Sequence, residues 1–114
     1  MANTEQNHKT LLAAIAQACK NIIWVTAPLA AACDFANQEN VADNINMNIV
    51  IISEMYAKLN DDVKARLASV NWPEIKRNID LITADYRNAD NRVLFYVSKS
   101  LIPRLKERID QILS

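Results

Sequence analysis

The side chains able to do chemistry in this chain are few, and their types exclude most reactions. Its 114 residues include one histidine, His8, two cysteines, Cys19 and Cys33, and no glycine. A Ser-His-Asp or Cys-His arrangement would have to recruit His8 from a polar N-terminal stretch. One histidine and two cysteines 14 positions apart do not make a zinc site, and Glu-x-x-His, the signature of di-iron bundles, does not occur. A chain without glycine has no phosphate-binding loop and no dinucleotide fingerprint. No metal site and no cofactor is expected. The remaining concentration of charge is Lys76, Arg77, Asp80, Asp85 and Arg87. Arg77, Asp80, Asp85 and Arg87 are the candidate polar site, although Asp80 and Asp85, five positions apart, diverge by roughly 140° on an ideal helix. Solvated ion pairs on an outer face account for the same residues.

The elements that would position these groups are helices. Missing glycine weighs against tight hairpins, which need positive φ, and half of the residues are hydrophobic. A first helix is expected from about Thr4 to Val25, with Leu11, Leu12, Ile15, Ala18, Cys19, Ile22 and Ile23 on its apolar stripe and Pro28 ending or bending it. The Ala-rich stretch from Leu29 to Asn40 has room for a short helix before a loop. Asn40 to Leu59 forms a second long helix, with Val41, Ile45, Ile49, Ile52, Met55, Tyr56 and Leu59 on one side and Asn44, Asn46 and Asn48 among the other positions. Asn60 caps a short helix through Val63 and Leu67. Asn71 caps the next, with Pro73 and Glu74 in its first turn and Trp72, Ile75, Ile79, Ile82 and Tyr86 as its face. Asn88 or Asp90 starts a last helix, with Val93, Leu94, Val97, Leu101, Leu105, Ile109 and Ile112 as its stripe and a kink at Pro103. The expected fold is all-α: one domain over 1–114, an antiparallel up-and-down bundle of four to five helices.

Charge and hydropathy restrict the setting. Thirteen Lys and Arg balance thirteen Asp and Glu, so a strongly basic nucleic-acid binder is not indicated. Met1 to Thr10 is polar, and the longest apolar stretch, Ile22 to Cys33, is broken by Thr26 and Pro28 and falls short of the ~20 residues a bilayer requires. A cytoplasmic chain with reduced, semi-buried thiols is expected. Its apolar positions, including Trp24, Tyr56 and Phe95, exceed what one small bundle readily covers, which favours a homodimer. Trp24 and Trp72 are expected as core or interface anchors, and the three asparagines as helix-surface groups or the lining of a groove between protomers.

The stretch WPEIKRNIDLITADY at 72–86 resembles the signature helix of HepT-like proteins in the HEPN superfamily, which runs roughly W-x-E-I-x-G-x-R-N-x-L-V-H-x-Y. Trp72, Glu74, Ile75 and Tyr86 match without a gap. Asp90 and the run around Leu105 and Lys106 also fall in step. Upstream, NIVIISEMYAKL at 48–59 is similar to the family's N-L-E-I-I-G-E-A-A-K-R-L segment through Asn48 and Glu54. The resemblance covers about 41–113 and implies a HEPN-like bundle, a homodimer, and a small nucleotidyltransferase as partner in a toxin-antitoxin-like pair. It also implies that Tyr86 is a target for adenylylation, although Tyr86 equally completes the apolar stripe of its helix.

The departures from the pattern bear on activity. HepT-like ribonucleases use Arg-x4-His, and here Ile79 stands at the arginine, Asp80 at the following asparagine and Ala84 at the histidine. Isoleucine does not hold a phosphate and alanine does not move a proton near neutral pH. The expectation is a non-catalytic interaction protein. A divergent ribonuclease using Arg77, Asp80, Asp85 or Arg87, which would make RNA a ligand, and an unrelated structural or regulatory bundle are the alternatives.

Overall fold

Side-chain caps and prolines set most helix boundaries. The computed structural model describes residues 4–114, so the first three positions of the expected domain and of its polar lead-in lie outside the described residues. Helix α1 spans Thr4–Thr26. It stops where Thr26 Oγ1 donates to its own Ile22 carbonyl at 2.7 Å, two residues before Pro28, whose ring cannot continue the ladder. From the last stretch of the chain Lys99 Nζ donates to the Thr26 carbonyl at 2.7 Å, placing a cation at the negative pole of α1.

The Ala-rich connection holds a single 3-10 turn, Ala32–Phe35. The Asp34 carboxylate accepts from the Ala30 and Ala31 backbone N–H groups at 3.0 and 2.9 Å. The turn sends Phe35 inward, edge-on to Phe95 with ring centroids 6.1 Å apart. Without glycine, the positive φ of this connection falls on Asn37 (φ 61°), one of the few other residues that tolerates it.

Helix α2 runs Glu39–Ala57. Asn60 Oδ1 accepts from the Val63 N–H at 2.9 Å and opens α3, Asp61–Arg66. Asn71 Oδ1 accepts from the Glu74 N–H at 3.1 Å and opens α4, Trp72–Ala84, with Pro73 in its first turn. The expected stripe through Tyr86 is corrected here. Asp85 has φ −160° and ψ 74°, so α4 ends first and Tyr86 sits in a separate 3-10 turn, Tyr86–Asn88. Asp90, not Asn88, caps the last stretch, with Oδ1 accepting from the Arg92 N–H at 2.8 Å.

That stretch is α5, Asn91–Tyr96, then a π-helical turn, Val97–Leu101, then α6, Ile102–Leu113. The helix passes Pro103 by widening ahead of it, with the Ile102 N–H reaching back to the Val97 carbonyl. A proline ring clashes with the carbonyl four residues earlier, and the wider turn removes that clash while the chain continues.

Helix α1 packs on α2 and α6, α2 packs on α4, and α4 on α5, which closes a ring. His8 and Leu12 of α1 meet Val63 of α3 and Ile112 of α6 at one end, while Thr26 meets Lys99 at the other. Tyr56 stacks on Trp72, and Arg87 reaches back to Asp43 near the start of α2. Neighbours in the ring therefore run antiparallel, an up-and-down all-α bundle of 47 × 26 × 22 Å with α3 as a short cross-piece. One contiguous core joins Ile15, Cys19 and Ile22 to Ile45, Ile49, Ile52, Ile75, Ile79, Ile82, Leu105 and Ile109. Among the described residues, no helix is long and apolar enough to cross a membrane.

Candidate functional site

Helix α4 presents two faces of opposite character. Ile75, Ile79 and Ile82 are buried, while Lys76, Arg77, Asp80, Leu81 and Ala84 are exposed. Ile79, at the motif's arginine position, is 2 % exposed and part of the core, so it is a packing residue. Ala84, at the histidine position, faces solvent at the last turn. The spacing of five residues turns these two side chains roughly 140° apart.

Asp80 is joined to Lys76 at 2.6 Å one turn away, and both side chains are about half exposed, so the pair is worth well under ~1 kcal/mol. Arg77, Asp80 and Ala84 line one shallow groove of about 630 Å³ with Trp72, Pro73, Lys76 and Leu81. The rest of the expected polar site lies elsewhere. Asp85 accepts from Asn88 Nδ2 at 3.0 Å in the turn after α4. Arg87 lies 3.5 Å from Asp43 and donates from Nε to Tyr86 Oη at 3.4 Å. Tyr86 and the Asp43 carboxylate, in that order, hold the Arg87 guanidinium above its ordinary range. The four groups divide between a groove on α4 and a turn beside α2 because the helix ends between them. Tyr86 is half-buried, packed against the core on one side and beside a smaller recess with Arg87, Asn37 and Leu94 on the other.

His8 does not come near this face. It lines a cleft at the end of the bundle whose other lining residues come from α1, α3, the Asn60 cap and the end of α6. No group of three or more metal-ligating side chains occurs among the described residues. Cys19 is fully buried, and burial pushes its thiol up to about 12 from an ordinary 9.0, with smaller opposing effects of Lys106 and Asp110. Cys33 is exposed, so the two thiols are not alike as the sequence suggests, because Cys33 lies in a 3-10 turn with only Phe35 turned inward.

One feature is not visible in the sequence. Asn48, 1 % exposed, is part of a polar ladder between α1 and α2. Its Oδ1 accepts from Asn21 Nδ2 at 3.1 Å, and its Nδ2 donates to the Asn44 carbonyl and to Asn44 Oδ1 at 2.8 and 2.9 Å. Asn44 and Asn48, four apart on α2, were visible as a pair, but not their partner 27 residues earlier. Trp24, expected as a core or interface anchor, is not in the core: it is 79 % exposed on the side of α1 opposite its core stripe, with Met47 and Val50 of α2 also exposed. Trp72 is instead half-buried, stacked on Tyr56 at 3.7 Å with Lys64 5.3 Å above the Tyr56 ring.

The architecture defines the class, an up-and-down all-α helical bundle. No family model, no characterised protein and no solved structure matches the chain.

Proposed function

We propose that this chain is a non-catalytic HepT/HEPN-like protein of the cytoplasm that acts through protein contacts, as a homodimer that also engages a small nucleotidyltransferase in a toxin-antitoxin-like pair. The observation that carries the reading is the exposure of Trp24. A tryptophan costs little entropy to immobilise and brings a large apolar surface to a contact, which is why such residues anchor interfaces. Met47 and Val50 add exposed apolar area on the neighbouring α2, and Leu81 on α4. The lack of catalysis is supported by α4, where Ile79 is committed to the core and Ala84 offers no titratable group. The sole histidine lies with α1, α3 and α6 instead. The partner and the modification of Tyr86 rest on the motif resemblance, and the half-exposed Tyr86 ring beside Arg87 is compatible with an approaching enzyme.

Sedimentation equilibrium at micromolar concentration is expected to give a dimer, and Trp24→Ser a monomer of unchanged helix content. Capture from the native host is expected to bring down a nucleotidyltransferase, with a fraction of the Tyr86 peptide carrying an adenylyl group. A monomeric wild type together with no co-purifying nucleotidyltransferase overturns the reading. Cleavage of RNA by pure protein, lost in Arg77→Ala or Asp80→Ala, would establish the ribonuclease in its place.

A further inference from the structure

The cleft at the open end of the bundle has the composition of a binding site. It measures about 590 Å³ and is lined by His8, Lys9 and Leu12 of α1, Asn60, Val63 and Arg66 around α3, and Ile112 to Ser114 of α6. Its volume lies in the range of sites that bury a small organic molecule. The lining divides by chemistry. Leu12 and Val63 are buried core residues, and with the half-buried Ile112 they form an apolar floor, while Leu113 is more exposed. Lys9 and Arg66 are exposed cations beside that floor, and no acidic side chain is among the described lining residues.

The polar groups around the cleft are unevenly occupied. Asn60 Oδ1 is taken by the Val63 N–H, which leaves the amide N–H groups of its side chain available. Ser114 has committed its hydroxyl to the Gln111 carbonyl and its N–H to the Asp110 carbonyl. His8 Nδ1 is shut off from solvent and has no hydrogen-bond partner.

We propose that this cleft binds a small amphipathic anion, with a carboxylate or phosphate head on Lys9 and Arg66 and an apolar body on Leu12, Val63 and Ile112. Cations at the mouth draw the head group, and the guanidinium supplies two parallel donors to it. The apolar floor supplies the area term that inorganic anions lack. This site is independent of the α4 face and of the dimer reading.

The test is titration of the full chain with octanoate, octyl phosphate and inorganic phosphate, followed by calorimetry and by the methyl resonances of Leu12, Val63 and Ile112. At least one amphiphile is expected to bind saturably, shift those methyls, and exceed inorganic phosphate by tenfold or more. Comparison of the two amphiphiles identifies the head group. Lys9→Glu and Arg66→Glu, both at exposed positions, are expected to weaken binding at least tenfold each with an unchanged melting temperature. Arg66→Lys should retain most of it. Absence of saturable binding by both amphiphiles, binding indifferent to the charge reversals, or inorganic phosphate binding as tightly as the amphiphiles overturns the proposal.

Discussion

At the scale of single residues, Ile79 and Ala84 of α4 stand in opposite environments. Ile79 is sealed in the core beside Ile75 and Ile82, whereas Ala84 is exposed. Ile79→Arg would place a guanidinium among aliphatic side chains with no acid committed to it, a change in the class that costs several kcal/mol. Ala84→His should stay within ~0.5 kcal/mol of the wild type. Urea denaturation of the two single variants checks this, and an equally stable Ile79→Arg protein would show that the position can open to solvent. In the same way Asn48 holds three polar contacts at almost no exposure, so it fixes which residues of α1 face which of α2. A leucine there would fill the space but leave Asn21 without its acceptor.

At the scale of elements, the ends of helices are held by side chains from distant parts of the chain. Lys99 lies in the π-helical turn and donates to the last carbonyl of α1, 73 residues away in sequence. The π-helical turn that admits Pro103 and the terminus of α1 are thus joined by one bond. Lys99→Met keeps the apolar stem and removes the donor and its charge, so a loss of about 1 kcal/mol is expected. Hydrogen exchange should quicken at the amides of the last α1 turn, through Leu29, more than elsewhere. Uniform acceleration across the bundle would mean that Lys99 stabilises the whole fold and not this terminus. The local caps behave differently. Asn60, Asn71 and Asp90 each accept from a backbone N–H two or three residues ahead, and Asn60 and Asn71 are visible from residue type alone, whereas the sequence left Asp90 and Asn88 as alternatives.

At the scale of the whole molecule, the core carries a titratable group, the Cys19 thiol. This thiol keeps its proton until about pH 12 when folded but releases it near 9 when unfolded. Between those values the unfolded chain binds fewer protons than the folded one, so stability falls as pH rises, by up to ~1.4 kcal/mol per pH unit from this group. Below pH 9 the group contributes no slope. Denaturation midpoints measured from pH 8 to 11 should decline more steeply in the wild type than in Cys19→Ala. Alkylation at pH 8 should modify Cys33 at once and Cys19 only with unfolding, since the thiolate is the reacting form. Equal slopes for the two proteins would remove Cys19 from the account.

The all-α class, the caps at Asn60 and Asn71 and nearly the whole apolar stripe of each helix could be read from the chain, because helical periodicity and N-cap chemistry are local. The sequence also determined what is absent, since one histidine and no glycine exclude most catalytic assemblies before any folding. Tertiary structure alone decided the rest. It ended α4 ahead of Tyr86, divided the expected polar site between two surfaces, joined Asn21 to Asn48 and Lys99 to Thr26, and brought His8, Lys9 and Arg66 to one cleft. These are contacts between residues tens of positions apart, and their formation depends on how four helices share one core rather than on the spacing within any of them.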